Sequence, residues 1–309
     1  MTSPLFGIDL GGTKIEGVVL MPDGSEVLRH RVATPFGNYE ATLQAIGALI
    51  NHLEQQCGRA CQRVGIGIPG SVSPQTGLVR NANSTWLNGR NLPGDLTRLV
   101  GREIRVNNDA NCLALSEIRD GAARGATSVF AVILGTGVGG GLVIDNKIVT
   151  GAHGLGGEWG HVPLAHETPR ETACYCGRYY CNEMFLSGPS IVAAYGRKSG
   201  KKVPNVQAVA KDADAGEPLA IDVLATFGQR LARALGVIVN IVDPEVIILA
   251  GGVSNLDGLV ENLAHDLGPH IFASAGDGPD NGVEIPIKRA QWGDSSGVRG
   301  AARLWEDVT

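Results

Sequence analysis

The feature that most constrains the fold is a strand, a glycine turn and a second strand, a pattern that occurs twice in the chain. The apolar run Leu5–Leu10 is followed by two glycines, and another apolar run covers Gly17–Leu20. The segment Phe6–Leu20 aligns without gaps with Phe130–Ile144. The aligned identities are Phe6/Phe130, Leu10/Leu134, Gly11/Gly135, Gly17/Gly141 and Val19/Val143. Chance identity in a chain rich in Gly and Val is one explanation, and a duplicated half-domain with two phosphate-facing hairpins is the other.

Apolar β-branched runs alternate with helical stretches, which predicts α/β layers. A chain of 309 residues is long for one core, so two lobes are expected. The predicted strands are Leu5–Leu10, Gly17–Leu20, Val64–Ile68, Ile104–Val106, Val129–Leu134, Gly141–Ile144 and Val246–Ala250. The predicted helices are Tyr39–Cys57, Asn111–Asp120, Ser187–Lys198, Pro218–Val242, Asp257–Leu267 and Ser296–Trp305. The polar span Val203–Ala215 is expected to be a loop or a short helix.

The composition is that of an ordinary soluble enzyme, with 43% hydrophobic and 18% charged residues. A net charge of −5 argues against nucleic-acid and anionic-membrane partners, which are usually met with basic surfaces. Met1–Pro4 lacks the basic region of a signal peptide, and no stretch approaches the roughly 20 apolar residues of a membrane span. We therefore expect a cytoplasmic protein, in which the six cysteines do not form disulfides.

The first turn carries groups suited to the phosphates of ATP. Gly11 and Gly12 let the backbone bend sharply and bring N–H groups against a phosphate. Thr13 adds a hydroxyl, Lys14 a positive charge, and Asp9 a carboxylate suited to Mg²⁺ or its waters. The segment is not a Walker motif, and a plain hairpin turn is the alternative.

Two later glycine segments extend this nucleotide hypothesis. Gly135–Gly141 holds five glycines in seven residues, and close contact between backbone and phosphate would explain them. The buried strand Ile247–Ala250 ends in paired glycines, which fits a backbone packed against adenine or ribose. An ordinary strand-to-helix turn is the alternative for the second segment. The candidate ATP-binding residues in these segments are Gly135, Thr136, Gly137, Gly139, Gly140, Gly251 and Gly252.

An acid flanked by amides follows the strand Ile104–Val106, where α/β enzymes commonly present catalytic groups. Asp109 can accept a hydroxyl proton as general base, and Asn108 can fix the direction of that hydroxyl. A helix N-cap formed by Asn111 or Asp109 is the alternative, and it is compatible with catalysis by Asp109.

A metal site is predicted from three clustered thiols, Cys174, Cys176 and Cys181, with His161 upstream. Three thiolates and one imidazole form a closed tetrahedral zinc set, so the Zn²⁺ should be structural. Reduced thiols that bind no metal are the alternative. The remaining cysteines, Cys57, Cys61 and Cys112, lack such spacing and are expected to be inert.

With these motifs in order, the sequence resembles the ROK family of sugar kinases over nearly its full length. The resemblance lies in Asp9–Lys14, Gly67–Gly70, Asn107–Asn111, Gly135–Gly141, Glu158–His161, Cys174–Glu183 and Ala250–Asn255. Asn81–Trp86 and Gly293–Ala302 look most like the bacterial fructokinase (manno-fructokinase) branch, and N-acetylglucosamine kinases are similar almost everywhere else. One departure is Tyr180, which stands where the family loop usually has a second glycine.

The resemblance implies an actin/hexokinase-like (ribonuclease H-like) α/β fold of two lobes, with ATP, Mg²⁺ and a hexose meeting in the cleft. The small lobe would cover residues 1–118 with the C-terminal helix 295–309 packed back on it, and the large lobe residues 119–294 with a zinc loop at 161–183. By resemblance, Asp109 is the catalytic base. The residues expected to contact sugar hydroxyls are Asn83, Asn108, Glu158, His161 and Glu183. His161 would give one ring nitrogen to zinc and the other to the sugar.

The function expected from this resemblance is ATP-dependent phosphorylation of D-fructose to fructose 6-phosphate, with mannose as a second substrate. An N-acetylglucosamine or glucose kinase of the same family is the alternative, and a non-catalytic sugar sensor is an alternative of another class. A repressor of the family would need an amino-terminal helix-turn-helix, whereas the phosphate strand here begins at Leu5. Because the family commonly forms dimers, a homodimer is expected.

Overall fold

The structure is a computed structural model that describes residues 3–168, 172–272 and 283–306. The chain divides into two compact units. The first contains Met1–Thr127, Gly141–Gly157 and Asp294–Thr309, and the second contains Ser128–Gly140 and Glu158–Gly293. The chain therefore enters the second unit twice and returns to the first each time.

Strands and helices alternate along the chain, which makes the fold α/β as the sequence predicts. The strands are β1 Leu5–Leu10, β2 Lys14–Leu20, β3 Glu26–Ala33, β4 Arg63–Ile68, β5 Ser71–Val72, β6 Val79–Arg80, β7 Glu103–Asn108, β8 Val129–Leu134, β9 Val138–Ile144, β10 Lys147–Ile148, β11 Val246–Ala250 and β12 Ile287–Arg289. The helices are α1 Tyr39–Cys57, α2 Leu92–Val100, α3 Asp109–Asp120, α4 Glu183–Leu186, α5 Gly188–Ser199, α6 Val206–Asp214, α7 Pro218–Val242, α8 Leu259–Leu267 and α9 Ser296–Ala302.

The sheet of the first unit has the strand order β3-β2-β1-β4-β7. β1 and β2 form an antiparallel hairpin, whereas β4 runs parallel to both β1 and β7. In this register Gly67 lies between Asp9 on one side and Asn107 on the other. The carboxyl ends of these parallel strands meet at one edge of the sheet, where open α/β sheets commonly bind ligands.

Helices cover both faces of this sheet. Helix α1 begins at its N-cap Asn38, whose side chain accepts a hydrogen bond from Ala41 N, and ends at Gly58 with φ of +66°. Its buried face consists of residues at helical spacing, including Leu43, Ile46, Leu49, Ile50 and Leu53. This periodicity explains why the sequence predicts the helix without error in its bounds.

Helix α9 packs on the opposite face so closely that two strand positions beneath it, Gly7 and Gly65, have no room for a side chain. A β-carbon at Gly7 or Gly65 would collide with backbone atoms of α9. Asp120 of α3 fixes the helix in place, because its Oδ2 accepts hydrogen bonds from Arg299 at 2.7 Å and from Arg303 at 2.5 Å. The C-terminal helix therefore packs within the first unit.

The second sheet has the order β10-β9-β8-β11-β12, in which β8, β11 and β12 run parallel. β11 is buried throughout, as expected for a parallel strand covered on both faces. Helix α7 carries Arg230 and Arg233, which both bond the carboxylate of Glu167. These ion pairs fix the segment that precedes the cysteine cluster.

Most predicted elements are present, with shifted ends. β2 begins at Lys14 and β9 at Val138, each three residues before the predicted start, and the last helix ends at Ala302 and continues as a 3₁₀ turn over Arg303–Trp305. The span Val203–Ala215 contains α6. The lobe boundary expected at residue 118 falls inside α3. Among the residues that the structure describes, no helix combines the length and apolarity needed to cross a membrane.

Candidate functional site

The turn between β1 and β2 is closed and anchored by backbone hydrogen bonds. Gly11 N donates to Lys14 O at 3.0 Å, which closes the turn. Thr34 anchors it from outside, since its N donates to Thr13 O at 3.0 Å and its Oγ1 donates to Gly11 O at 2.8 Å. Gly12, Thr13 and Lys14 are exposed. The predicted phosphate turn is thus a fixed backbone that presents Thr13 and Lys14 to solvent.

Asp9 is the acid at the end of β1, immediately before this turn. Its removal from water, together with the smaller effect of the nearby carboxylates of Asp109, Glu16 and Asp294, raises the pKa of Asp9 to about 7 against the opposing charge of Lys14. A carboxyl surrounded by other acids is stabilised in its charged form when a cation lies beside it. Asp9 is therefore suited to hold the Mg²⁺ that accompanies ATP, or its waters.

Helix α3 begins beside Asp9, and Asn108 is its N-cap. Asn108 Oδ1 accepts hydrogen bonds from Ala110 N at 2.9 Å and Asn111 N at 3.4 Å, so the expectation that Asn111 or Asp109 caps the helix is wrong. Asp109 is the first residue of the helix, and its Oδ1 accepts from Ala110 N at 2.8 Å. The cap was ambiguous because four of the five residues from Asn107 to Asn111 are Asn or Asp, whose side chains can all accept such bonds with similar energy.

Gly70 connects Asn108 to the segment that carries Asn83. Asn108 Nδ2 donates to Gly70 O at 3.0 Å. A β-carbon at Gly70, where φ is +83°, would collide with the backbone of Ala82. Asn88 holds the same segment, since its side chain bonds both N and O of Ala82 at 3.0 Å. Within the first unit, Gly70 therefore contacts both the side chain of Asn108 and the backbone of Ala82, the residue before Asn83.

The second glycine turn follows β8 in the second unit. Gly135 N donates to Gly137 O at 3.0 Å, and Gly188 N at the start of α5 donates to Gly135 O at 2.8 Å. A β-carbon at Gly137 would collide with the carboxylate of Glu183. Beside the turn lies a cavity of about 500 Å³, lined by Thr136, Glu183, Ser187, Ser190 and Arg197 among others. Its hydroxyls and one guanidinium suit a nucleotide.

Several glycines that were predicted to face ATP are also required for other reasons, namely backbone conformation and close packing. Gly251 adopts φ of +85° directly after β11, and a β-carbon there would collide with the backbone of Leu134. Gly252 O accepts a hydrogen bond from Gln207 Nε2 at 3.1 Å. Gly141 packs against the backbone of Ala110, so part of the Gly135–Gly141 run has a packing reason that the sequence does not reveal.

The four predicted metal ligands are brought together in the second unit. One ligand atom from each of His161, Cys174, Cys176 and Cys181 lies within 4.8 Å of all the others. Cys176 Sγ and Cys181 Sγ are 3.4 Å apart, and Cys174 Sγ is 3.6 Å from His161 Nδ1. Three sulfurs and one nitrogen at these separations fit the tetrahedral shell of Zn²⁺. The histidine nitrogen that faces the cluster is Nδ1.

The other nitrogen of His161 has a partner that the sequence analysis missed. His161 Nε2 is 2.7 Å from the hydroxyl of Tyr175, and the two rings meet edge to face at 88° with centroids 5.0 Å apart. Loss of water around the phenol and the carboxylates of Glu183 and Glu158 raise the pKa of Tyr175. The only hint in the sequence is a hydroxylated aromatic residue between two of the clustered cysteines.

This α/β fold contains two strand–turn–strand hairpins with glycine-rich turns, β1–β2 and β8–β9. It is the actin-like fold of sugar kinases. The sequence model of the ROK family matches residues 5–308, and the chain is a member of that family.

Curated relatives match over nearly the whole chain. N-acetyl-D-glucosamine kinase of Yersinia enterocolitica is 36% identical over 308 residues, covering 97% of this chain and 98% of the relative. N-acetyl-D-glucosamine kinase of Pasteurella multocida is 37% identical over 310 residues, with the same coverage of 97% and 98%.

Solved structures agree in fold. The ROK hexokinase from Thermus thermophilus superposes with a TM-score of 0.84 at 29% identity, covering 97% of each chain. A ROK family glucokinase from Streptomyces griseus, solved with glucose and AMPPNP, superposes with a TM-score of 0.77 at 26% identity, covering 98% of this chain and 99% of the other.

Proposed function

We propose that the protein transfers the terminal phosphoryl group of ATP to a hydroxyl of a hexose, with Asp109 as general base. The observation that carries this proposal is the position of Asp109 at the start of α3, next to Asn108 and at the same sheet edge as Asp9 and the first glycine turn. A base and a phosphate turn at one sheet edge suit transfer from a nucleotide to a hydroxyl.

The chemistry needs little covalent help, because phosphoryl transfer is catalysed mainly by in-line positioning and by neutralising charge. Thr13 and Lys14 would hold the phosphates, and Asp9 would hold Mg²⁺ or its waters. Asp109 would accept the proton of the attacking sugar hydroxyl, while Asn83 and Asn108 fix the sugar. Glu158 and Glu183 would bind further hydroxyls in this scheme.

We also propose that His161, Cys174, Cys176 and Cys181 hold a structural Zn²⁺. The separations of their ligand atoms support this assignment. With all four positions supplied by protein, the metal would fold the loop and take no part in phosphoryl transfer.

Two hexoses are candidate substrates. N-acetylglucosamine is supported by the names of the curated relatives, which are N-acetylglucosamine kinases at 36% and 37% identity. Fructose is supported by the resemblance of Asn81–Trp86 and Gly293–Ala302 to the fructokinase branch. The first candidate has the more direct support, because it comes from full-length relatives.

The test is production of ADP from ATP and Mg²⁺ in the presence of N-acetylglucosamine, fructose, mannose or glucose, each alone. We expect turnover that depends on one of these sugars and a phosphorylated product of matching mass. Sugar-independent hydrolysis, or binding of sugar without turnover, would instead support a sensor. Comparison of kcat/KM among the four sugars assigns the substrate.

A further inference from the structure

We propose that Tyr175 occupies the place of a sugar hydroxyl on His161 and must leave that nitrogen before the hexose binds. The inference rests on the proposed function, because it takes His161 as a sugar contact. It adds a residue that controls the affinity for sugar and that belongs to neither the proposed metal ligands nor the proposed sugar contacts.

The contact is a well-formed hydrogen bond. The Tyr175 hydroxyl and His161 Nε2 are 2.7 Å apart, within the normal range for O and N partners. The perpendicular rings, with centroids 5.0 Å apart, give the pair a favourable edge-to-face contact as well. This geometry holds the imidazole in one orientation, with Nδ1 toward Cys174.

His161 can serve only one partner at this nitrogen. When Nδ1 ligates a metal through its lone pair, the ring proton resides on Nε2, which then donates one hydrogen bond. The Nε2–H group can donate this hydrogen bond either to the Tyr175 hydroxyl or to a sugar hydroxyl. A hexose bound through His161 therefore excludes the observed contact with Tyr175.

The phenol also lies among the other groups proposed to hold the sugar. Glu183 Oε1 lies 3.7 Å from the Sγ of Cys174, the residue before Tyr175, and Glu158 O accepts a hydrogen bond of 3.2 Å from His161 N. Together with His161, these two acids are the second unit's proposed sugar contacts. The Tyr175 hydroxyl therefore contacts one of these three proposed sugar contacts directly, and the other two belong to residues that neighbour or bond this pair.

The tyrosine is free to rotate away while its backbone stays in place. Its side chain is 69% exposed, so leaving His161 meets little packing resistance. Its neighbours Cys174 and Cys176 would be held by the metal, which fixes the backbone on both sides. Movement of the ring therefore does not require the metal loop to unfold.

The consequence is that the protein binds sugar more weakly than it would without the Tyr175 hydroxyl. A sugar must replace a neutral hydrogen bond that already satisfies His161, and such a bond lowers apparent affinity by about 2- to 10-fold. Removing the Tyr175 hydroxyl should recover this factor.

The test is Tyr175→Phe in the zinc-loaded protein, with Tyr179→Phe as matched control from the same loop. Titration calorimetry with the hexose that the wild-type enzyme phosphorylates should show a Kd about 2- to 10-fold lower for Tyr175→Phe and unchanged for Tyr179→Phe. Zinc content and kcat should equal those of wild type in both. Tyr175→Ala, which also lacks the hydroxyl, should tighten sugar binding in the same direction.

Three results would overturn the proposal. Weaker sugar binding by Tyr175→Phe would make the hydroxyl a sugar ligand, and loss of zinc would make it a support of the metal ligand His161. An unchanged Kd would show that the hydroxyl does not compete with sugar. If wild type binds a hexose but does not phosphorylate it, the kinase proposal fails, and the titration run with that bound hexose still measures the competition at His161.

Discussion

The carboxylate of Glu183 accepts a hydrogen bond of 3.1 Å from the backbone N–H of Val138. Glu183 follows the segment that holds the three clustered cysteines, whereas Val138 is the first residue of β9, directly after the turn that follows β8. Gly137 lacks a side chain where one would collide with this carboxylate. One acid in the second unit therefore fixes the glycine turn proposed for ATP, in addition to its proposed role toward sugar.

Replacing Glu183 with Ala should disturb the turn as well as sugar binding. Val138 N would lose its partner, and an unsatisfied buried N–H costs about 1–3 kcal/mol. We expect KM for ATP to rise about 10-fold, measured at saturating sugar. Glu183→Gln is the matched control, because its amide oxygen can still accept from Val138. If Glu183→Ala changes KM for sugar but leaves KM for ATP at the wild-type value, the turn does not depend on this bond.

The zinc assignment predicts a loss of both metal and stability in Cys176→Ser. Metal binding energy is also folding energy, so the free energy of unfolding should fall by about 4 kcal/mol or more. Metal analysis and thermal unfolding of the purified variant measure the two effects. Cys57→Ser, which changes a cysteine outside the cluster, should retain zinc. A Cys176→Ser protein that keeps its zinc would contradict the assignment.

Lys14 should act on ATP and not on sugar, because it is exposed directly after the first glycine turn. Lys14→Ala removes a charged donor, and such bonds are worth about 1.5–3 kcal/mol, so KM for ATP should rise about 10- to 100-fold. Sugar affinity of the nucleotide-free protein should stay as in wild type by calorimetry. Lys147→Ala, an exposed lysine on β10, controls for general loss of positive charge. Loss of sugar affinity alone would assign the turn to the sugar instead.

The strongly periodic elements could be predicted from the sequence, and the polar ones could not. α1 and α7 were predicted with correct bounds because their apolar residues recur at helical spacing over many turns. β3 was missed because none of its residues is buried, so the alternation of a half-buried strand is absent. α2 was missed because Pro93 and Gly94 in its first turn read as a loop.

In the candidate site, too, features that depend on residues close in sequence could be predicted, and contacts between residues distant in sequence could not. The clustering of Cys174, Cys176 and Cys181 was predictable because their spacing in the sequence is local. The hydrogen bonds between His161 and Tyr175 and between Glu183 and Val138 depend on the folded chain, and no spacing in the sequence predicts either of them. The Tyr180 departure has no backbone consequence, since this residue is not among those with positive φ, whereas Gly177 of the same loop has φ of +85°.

The raised pKa of Asp9 predicts that stability falls with pH in the protein without Mg²⁺ and nucleotide. Its folded pKa of about 7 exceeds the ordinary value of 3.8, so the folded state binds this proton more tightly. The resulting stabilisation is fully present below the lower pKa and is lost as pH rises through the higher one. Between about pH 5 and pH 7 the loss from this group should be on the order of 2 kcal/mol.

Urea unfolding of wild type and Asp9→Asn across this pH range measures the effect. The Asn side chain does not ionise, so the variant should lack this part of the pH dependence and should gain stability relative to wild type as pH rises. Parallel stability curves for the two proteins would show that Asp9 titrates with an ordinary pKa.

The most direct mechanistic prediction concerns Asp109. Asp109→Asn preserves the size of the side chain and an oxygen that can accept from Ala110 N, so α3 should form and the protein should stay folded. What it removes is the acceptor for the sugar proton. We expect kcat to fall by about 10²–10⁴, the usual worth of a general base, while the calorimetric Kd values for sugar and ATP change little.

The control for this prediction adds Asn111→Asp to Asp109→Asn. The double variant carries an acid two residues further along α3 but no base at position 109, so activity should not be rescued. ATP hydrolysis without sugar should not rise in Asp109→Asn, because the substitution provides no new base for water. Turnover within a few-fold of wild type would mean that another group takes the proton. Glu158 would then be the first candidate, and Glu158→Gln in the Asp109→Asn background would abolish the remaining activity.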